Sequence, residues 1–378
     1  MKLEGLKVID LSMFLPGPYL TLALADHGAQ VIKIEIPGEG DPGRHIGLAD
    51  GEHAVFFRNF NRGKKSVVLD LKSEEGRAAL MRLCTDADVF VETFRPGAAK
   101  RLGVDYESIY AINPGIVYCS ISAFGQEGAY AARAAHDLAV ESLAGVMSMT
   151  VDDNGQPVIP GIPAADLLSG LHGLAGVLMA LLRRTSTGQG DYLDISMLDA
   201  MTSACSNILG PTFAESRQPD PKVERTTGGS AFYRMYRTAD GRHVALAGQE
   251  RKFVQNLLRA IGRDDLVEVV MRGPGAHQQP VARVLAAEFA RRTLAQCEQF
   301  LSALDVCWGT VRTLPEAFAD PYLAERGMLL RDEQGRPHIG PAIRFRHEPA
   351  RPVLQSPGLG QHTIEVTGLA AGPTSHRT

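Results

Sequence analysis

A chain of 378 residues is long enough for two domains, or for one large domain that carries an insertion. Hydrophobic residues make up 44% and charged residues 22%, which allows a large buried core and argues against a disordered chain. The net charge of −4 gives no basic excess for nucleic acid, so any bound anion must be held by a local cluster of cations.

The N-terminal half alternates short apolar runs with helical segments. The runs that predict strands are 7–11, 30–35, 66–70, 89–91, 116–121 and 192–195. The segments that predict helices are 19–27, 74–83, 106–112 and a long apolar one at about 166–184. Buried strands separated by helices are typical of a parallel sheet covered on both faces, so we predict an α/β fold.

The character of the chain changes between 211 and 227, which are polar and rich in proline, as linkers are. Beyond this segment, Asp240-Gly241 lies between two alternating apolar runs and predicts a β-hairpin. Helical segments then extend to about Leu304, and a helix at 315–318 precedes a polar, proline-rich tail. The change of character indicates a second domain after the sheet.

The compartment is predicted from the cysteines and the apolar segments. The five cysteines have no CxxC spacing and have apolar neighbours, which favours reduced, buried thiols. The first eight residues mix charges into an apolar run, so we expect no signal peptide. The longest apolar stretch, 171–182, is too short and too rich in glycine to predict a membrane span. We therefore expect a cytoplasmic protein without a membrane partner.

Several common nucleotide and hydrolase motifs are missing from the sequence. Residues 14–18 follow the first strand where a GxGxxG turn would stand, which argues against ordinary NAD binding. The sequence has no Walker A, HExxH or GxSxG motif, so nucleoside triphosphate hydrolysis, zinc proteolysis and serine hydrolysis lose support. We predict no metal site.

Two basic segments, 59–66 and 94–101, lie beside predicted strands. The second begins just past the carboxyl end of a strand, where ligands of open parallel sheets bind. Cations beside an aromatic side chain suit a phosphorylated nucleotide, with phosphate on Arg and Lys and adenine on Phe or an aliphatic wall. The alternative is that both segments are solvated basic loops.

Three ionisable residues, His136, Asp166 and Glu250, are candidates for chemistry. A base and an acid on opposite faces of one carbon remove a proton and return one. Each residue also has an ordinary explanation: a capped histidine near a helix start, an acid favoured by the dipole of a long helix, and a surface carboxylate at a strand end. A catalytic role for the three residues is supported only if the fold places them in one site.

Ordered motifs run along the whole chain. They are LKVIDL at 6–11, GP at 17–18, LADHGA at 24–29, VIKIE at 31–35, NRGKKS at 61–66, VETFRPG at 91–97, SAFGQEG at 122–128, TGQG at 187–190, RGM at 326–328 and GQHT at 360–363. With these motifs the chain resembles the class III CoA-transferases, the CaiB/BaiF family. Within that family it is most similar to the α-methylacyl-CoA racemases. The resemblance extends from residue 3 to about 366.

The resemblance implies roles for the three ionisable residues. Asp166 matches the catalytic acid of the family, which is the nucleophile in transferases and an acid/base in racemases. His136 and Glu250 match the His and the small-domain Glu that the racemases add. In a racemase, His136 would deprotonate one face of the α-carbon with support from Glu250, Asp166 would serve the other face, and backbone N–H groups near Asp137 would bind the enolate oxygen.

The resemblance also implies a CoA thioester as substrate and no permanently bound cofactor. The residues that we predict to contact this substrate are Arg62, Leu69, Lys72, Thr93, Phe94, Arg95, Ala98, Arg101 and Asp137. The chain departs from the family pattern at a few positions. They are Ala135 in place of Gly before the His, Ile36 where a basic residue often contacts a phosphate, Thr93 in place of Asn, and a transferase glycine loop reduced to Gly228-Gly229.

For the fold, the resemblance implies a Rossmann-like large domain built from both chain ends and a smaller inserted α/β domain. It also implies two chains threaded through one another as an interlocked homodimer, with Glu250 approaching the site from the second chain. The predicted segments are a CoA-binding part of the large domain at 1–210, a linker at 211–227, a small domain at 228–312 and a return segment at 313–378.

We predict an acyl-CoA racemase that interconverts 2R and 2S 2-methylacyl-CoA thioesters by removal and return of the α-proton. The alternative is a CoA-transferase that moves CoA between carboxylic acids through an acyl-anhydride and thioester on Asp166, with His136 and Glu250 structural. A third possibility, from another class, is a catalytically silent CoA-binding or assembly protein.

Overall fold

The structure, a computed structural model, describes residues 1–369 as two compact units. The first unit contains Met1–Ala144, Pro160–Ala204 and the residues from Pro321 onward, and the second contains Gly145–Ile159 and Cys205–Asp320. The predicted linker and small domain both fall inside the second unit. Residues 145–159 were predicted to be part of the large domain, but they too belong to the second unit. The domain limits themselves stay a prediction.

Short strands and helices alternate along the chain. The strands are β1 (Lys7–Asp10), β2 (Gln30–Glu35), β3 (Ala49–Asp50), β4 (His53–Ala54), β5 (Lys65–Val68), β6 (Val89–Glu92), β7 (Val117–Ser122), β8 (Asp191–Ser196), β9 (Tyr233–Arg237), β10 (His243–Ala247), β11 (Trp308–Thr310), β12 (Leu329–Arg331) and β13 (Pro337–Ile339). The helices are α1 (Pro16–Asp26), α2 (Val55–Asn61), α3 (Glu74–Cys84), α4 (Ala98–Leu102), α5 (Tyr106–Tyr110), α6 (Asp137–Leu143), α7 (Ala164–Thr187), α8 (Met197–Ala204), α9 (Gly210–Glu215), α10 (Arg251–Ala260), α11 (Val267–Val270), α12 (Gln279–Phe289), α13 (Leu294–Ser302), α14 (Leu314–Phe318), α15 (Pro321–Glu325) and α16 (Thr363–Thr367).

The first unit is built on a six-stranded parallel sheet with the strand order β5-β2-β1-β6-β7-β8. The chain moves outward from β1 through β2 to β5 and then returns to the other side of β1 at β6. The order therefore reverses between β1 and β6, and ligands of open parallel sheets bind outside the carboxyl ends of the strands at such a point. The predicted α/β fold with a parallel sheet is confirmed.

The apolar runs of the sequence form the middle of this sheet. Val8 and Ile9 of β1 are fully buried, as are Val89 and Phe90 of β6, because helices cover both faces. The Phe90 ring stacks on Tyr118 of β7 with 4.7 Å between ring centroids. Charged residues lie at the carboxyl ends of these strands instead. The sheet therefore has an apolar middle and a polar edge at the carboxyl ends of its strands.

Helix α7 is the longest helix and packs along α1. The two helices approach closely at Gly170, where a Cβ atom would lie 2.7 Å from the Pro16 carbonyl oxygen. The apolar stretch predicted at 171–182 is part of this helix. By length and composition α7 is apolar enough to cross a membrane, but the core helix of a folded protein has the same composition, so this is weak evidence.

The second unit contains a three-stranded antiparallel sheet in the order β11-β10-β9. The hairpin between β9 and β10 lies at the predicted turn, where Gly241 adopts a φ of +77° that favours glycine. Helices of this unit bury their apolar faces against the sheet, and Tyr236, Leu257 and Phe289 lie in the resulting core. The unit therefore has a hydrophobic core of its own.

The predicted helices of the first unit differ from the structure at their ends, and several short helices, α2 among them, were not predicted. Helix α1 begins at Pro16, three residues before the predicted start, because proline is well suited to a first helical position. Helix α7 extends beyond the predicted 166–184 at both ends. Helix α2 occupies 55–61, so the first three residues of the basic segment 59–66 end a helix.

Candidate active site

His136 lies at the start of α6. It is the N-cap residue, with extended backbone angles, and its side chain is exposed. The ring packs edge-to-face against Phe14, with 6.0 Å between centroids and an angle of 81° between the rings. Phe14 follows β1 and has a φ of +63°, which a bulky side chain rarely adopts. The loop after the central strand therefore contacts the predicted catalytic histidine.

Asp166 lies in the first turn of α7. Its backbone N–H donates to the Oδ1 atom of Asp137, at 3.1 Å. Because Asp137 directly follows His136, this hydrogen bond joins the starts of α6 and α7. The structure thus brings two of the three predicted catalytic residues, His136 and Asp166, to one place in the first unit.

The carboxyl group of Asp166 is electrostatically perturbed. Burial raises its pKa to about 7, and the nearby carboxyl groups of Asp137 and Glu141 add to the effect. A carboxyl group with such a pKa exists in both protonation states near neutral pH. Perturbed groups of this kind concentrate at catalytic sites.

Glu250 belongs to the second unit, where it is the exposed N-cap residue of α10. It ends the loop after β10, as the sequence pattern suggested. The structure describes this unit separately from the first, so the assignment of Glu250 to the same site as His136 and Asp166 stays a prediction.

A pocket of about 160 Å³ opens at the carboxyl ends of β1, β2, β5 and β6, beside the point where the strand order reverses. Three residues that were predicted to contact CoA, Leu69, Lys72 and Phe94, line this pocket. Ile36 lines it too, and half of its side chain is exposed. The pocket is therefore mainly apolar, with a cation at its edge.

The loop after β6 and helix α4 carry the other predicted CoA contacts of this region. Thr93 accepts a hydrogen bond from the Met13 N–H at 3.0 Å, which ties the loop to the one after β1. Arg95 and Arg101 are exposed, and Ala98 is the first residue of α4. Arg95 and Arg101 are thus exposed cations next in sequence to Phe94 and Leu102, which line the pocket.

Arg62 differs from the other predicted CoA contacts. Its side chain is 1% exposed, and Nη2 donates to Asp26 Oδ2 at 2.6 Å. A guanidinium that is buried in an ion pair does not reach a phosphate in solvent. This burial argues against the prediction that Arg62 contacts CoA, and we leave it out of the proposed contacts.

A buried ionic network lies beneath the pocket. Asp10 accepts hydrogen bonds from Thr21 and Lys64, and Lys33 pairs with Asp41 at 2.8 Å. Although burial alone would raise the pKa of Asp10, Lys64 and Lys33 hold it well below its usual range. This network was not predicted from the sequence. Charged residues at the carboxyl ends of apolar strands were the pattern that could have indicated it.

Glu141 is a further residue that the sequence analysis missed. It lies on α6, four residues after Asp137, so both carboxyl groups are on one helix face. That spacing was the available signal. Within residues 1–369, no group of three or more His, Cys, Asp or Glu side chains is arranged to hold a metal ion.

With this geometry established, comparison with known proteins identifies the family. A model of CoA-transferase family III matches residues 3–363. The chain belongs to this family. It is 34% identical to a succinate–glutarate CoA-transferase of Agrobacterium fabrum, over 100% of this chain and 97% of that protein. It is 33% identical to human α-methylacyl-CoA racemase, over 97% of this chain and 92% of that protein.

Solved structures of family III proteins have the same fold. A CaiB/BaiF family protein from Brucella suis superposes with a TM-score of 0.80 at 31% identity, covering 97% of this chain and 98% of that one. The resemblance to CaiB/BaiF proteins is thereby confirmed. At the level of the family, the protein is an acyl-CoA enzyme. The named relatives have two different activities at similar identity, so the site itself must decide between them.

Proposed function

We propose that this protein is an acyl-CoA racemase that interconverts 2R and 2S 2-methylacyl-CoA thioesters. The observation that carries the proposal is the position of Asp166, whose N–H is bound by the residue next to His136 and whose pKa is raised to about 7. A general acid/base works best when its pKa is near the working pH, because it must both hold and release a proton.

A nucleophilic role makes a different demand on the same residue. A carboxyl group attacks a thioester as its anion, so a transferase gains from a carboxylate that stays ionised at neutral pH. Burial acts in the other direction, because it favours the protonated form of Asp166, and the nearby Asp137 carboxylate adds to this effect. The electrostatics of the site thus favour proton transfer over nucleophilic attack.

In the proposed reaction, the thioester carbonyl acidifies the α-carbon. His136 removes the α-proton from one face, and the electron pair moves onto the carbonyl oxygen to give an enolate. Asp166 then donates a proton to the opposite face, and the reverse direction exchanges the two roles. Each general acid or base of this kind is typically worth roughly 10²- to 10⁴-fold in rate.

The enolate oxygen needs hydrogen-bond donors. The first N–H groups of a helix have no acceptor within that helix. In α6 these are the N–H groups of Asp137 and Leu138, because the N–H of Ala139 already donates to the His136 carbonyl. We therefore assign them to the developing negative charge. This keeps Asp137 among the residues that contact the substrate.

The CoA part of the substrate is assigned to the pocket at the carboxyl ends of β1, β2, β5 and β6. Phe94 and Leu69 offer apolar surface to the adenine, and Lys72, Arg95 and Arg101 offer charge to its phosphates. The proposed contacts that complete the set are Thr93 and Ala98. The thioester is a substrate, and no permanently bound cofactor is invoked.

We also propose a cytoplasmic homodimer whose chains interlock, with Glu250 of the partner subunit supporting the basicity of His136. Glu250 is exposed at the start of α10, so its carboxylate is available to another chain. No nucleic-acid or membrane partner is included in the proposal.

The test is incubation of a pure (2R)-2-methylacyl-CoA with the protein in deuterated water. The expected product is the 2S epimer with deuterium at the α-carbon, followed by NMR and chiral chromatography of the released acid. If neither α-deuterium nor the 2S epimer forms, the protein is not a racemase for that substrate.

A CoA-transferase is the second candidate, because a relative named for succinate–glutarate transfer is 34% identical to the chain. In that reaction Asp166 Oδ attacks the thioester carbonyl, CoA leaves as the thiolate, and an acyl-anhydride remains on the enzyme. CoA then attacks the Asp166 carbonyl to give an enzyme thioester, and the acyl group leaves as a free acid. Hydroxylamine trapping of acyl-CoA mixtures, followed by mass spectrometry, would reveal modified Asp166 for a transferase and unmodified Asp166 for a racemase.

A further inference from the structure

Two carboxyl groups from α6 bind the first turn of α7. Asp137 Oδ1 accepts the N–H of Asp166 at 3.1 Å, and Glu141 Oε1 accepts the N–H of Ala164 at 3.0 Å. Pro163, the N-cap residue of α7, offers no side-chain acceptor. The unpaired N–H groups at the start of a long helix are thus satisfied by acids from the neighbouring helix.

Glu141 is an unusual member of this arrangement. The residue is 0% exposed, and its Oε2 atom meets no hydrogen-bond donor among residues 1–369. Asp137 lies one helical turn before it on the same face of α6, and the two carboxyl groups bind neighbouring N–H groups in the first turn of α7. Two buried carboxylates side by side repel each other, whereas a carboxylic acid beside a carboxylate forms a strong hydrogen bond.

We propose that Glu141 is a positioning residue that remains neutral in the active enzyme, where it carries a proton on Oε2 and donates it to Asp137. This bond holds the Asp137 carboxylate against the N–H of Asp166. It also leaves one negative charge, instead of two, beside the catalytic carboxyl group. Burial raises the pKa of Glu141 and the neighbouring Asp137 raises it further, in keeping with the geometry, while the N–H of Ala164 acts in the opposite direction.

The other ionisable groups near α6 do not supply the missing partner. Helices α7 and α8 pack against α6. On α8 the titratable residue is Asp199, which is exposed. On α7 they are Asp166, whose carboxyl group is the one being positioned, and His172, whose ring bonds the Leu168 carbonyl. Arg183 and Arg184 lie at the far end of α7. The Asp137 carboxyl, one turn away on α6, is therefore the acceptor that we assign to a proton on Oε2 of Glu141.

The protonation of Glu141 is testable without any enzyme activity. The infrared spectrum of the wild-type protein at neutral pD is expected to contain a carboxylic acid carbonyl absorption that is weaker in Glu141→Gln, where other protonated carboxyl groups such as Asp166 still contribute. Asp199→Asn, which removes an exposed carboxyl group from the adjacent helix, is expected to keep the band. A spectrum of Glu141→Gln identical to that of the wild type in this region would overturn the proposal.

The positioning role rests on the proposed racemase function and is tested by the pH profile of α-proton exchange. Wild-type exchange is expected to fall at alkaline pH as Asp166 and Glu141 ionise, and Glu141→Gln is expected to have a shallower alkaline limb that reports Asp166 without Glu141. Glu141→Ala releases Asp137 and is expected to cost on the order of 10- to 100-fold in kcat across the profile. Glu141→Gln should retain more kcat than Glu141→Ala, because the amide keeps a donor for Asp137.

The outcomes separate the two claims. An unchanged alkaline limb in Glu141→Gln, or a loss in this variant as large as in Glu141→Ala, would reject the positioning role. Asp199→Asn is the matched control, with the exchange rate and profile of the wild type. If the wild-type protein exchanges no α-proton, the racemase proposal fails, while the infrared band still decides whether Glu141 holds a proton.

Discussion

At the scale of single residues, Asp166 owes its raised pKa first to burial and then to a neighbouring acid on α6. Asp137 and Glu141 accept N–H groups at the start of α7, which stabilises the helix, and the Asp137 carboxylate adds to burial in disfavouring the anion of Asp166. The contacts that order the helix start are therefore also the contacts that prepare Asp166 for proton transfer.

This arrangement has a consequence for stability. The pKa of Asp166 is about 7 in the folded protein against 3.8 for an ordinary Asp, so the folded state binds more protons between these values. Stability contributed by this group is present at acid pH and is lost as the pH rises towards 7. At neutral pH and above, the ionised Asp166 destabilises the fold.

We accordingly expect Asp166→Asn to be more stable than the wild type at pH 8, by roughly 2 kcal/mol. This is less than the free energy that corresponds to the whole pKa shift, because Asp166 is partly exposed and solvent screens its charge. The gain should shrink as the pH is lowered from 7 and vanish near pH 4. Melting temperatures measured across this range provide the test, with the exposed loop variant Asp153→Asn as control. An Asp166→Asn protein that is less stable than the wild type at pH 8 would contradict the assignment.

The sequence indicated some of these residues and not others. His136 and Asp166 were predicted from residue type and from the resemblance to the family. The hydrogen bond between Asp137 and Asp166 joins residues 29 positions apart, so no local pattern predicts it. Arg62 was assigned to CoA because it lies in a basic segment, but sequence alone does not reveal that Asp26 neutralises it inside the protein.

At the scale of elements, the charged residues at the ends of the strands have structural as well as functional roles. Lys64 precedes β5, is fully buried and bonds Asp10, Thr21 and Asn61. Lys65, the next residue, pairs with Glu365 at the surface. Adjacent lysines of one basic motif therefore have opposite environments, and the network around Lys64 supports the loops that border the pocket.

This difference predicts unequal effects of one substitution. Lys64→Met leaves the Asp10 carboxylate buried without its cation and is expected to cost about 3–5 kcal/mol in the free energy of unfolding. Lys65→Met removes an exposed ion pair and is expected to cost less than about 1 kcal/mol. Urea unfolding of both variants provides the comparison, and equal losses would show that Lys64 has no special structural role.

The elements themselves were predicted with uneven success, for physical reasons. Strands such as β1 and β6 were found because they are buried on both faces and therefore continuously apolar. Helix α2 was missed, since its three aromatic residues and its valine favour strands in isolation, and tertiary packing overrides that preference. The assignment of 145–159 to the second unit depends on long-range contacts that local sequence does not encode.

At the scale of the whole molecule, the account depends on a second chain. If Glu250 serves the site of the partner subunit, each active site needs residues from both chains. Coexpression of His136→Gln and Glu250→Gln chains with different affinity tags then yields heterodimers in which one site carries both changes and the other carries none. Such heterodimers are expected to have about half the activity of the wild-type dimer.

The alternative gives a different result. If Glu250 serves the site of its own chain, both sites of the heterodimer carry one change, and its activity should not exceed the mean of the two mutant homodimers. Sedimentation at micromolar concentration is the companion measurement, and a monomer there would contradict the proposed dimer.

The most direct test of the account is α-deuterium exchange measured separately for the 2R and 2S thioesters with His136→Gln and Asp166→Asn. If the two groups serve opposite faces, the exchange rate of one epimer should fall roughly 10²- to 10⁴-fold in each variant, while that of the other epimer falls far less. The epimer that is affected should differ between the two variants. Equal losses for both epimers in each variant would contradict the assignment of His136 and Asp166 to opposite faces of the α-carbon.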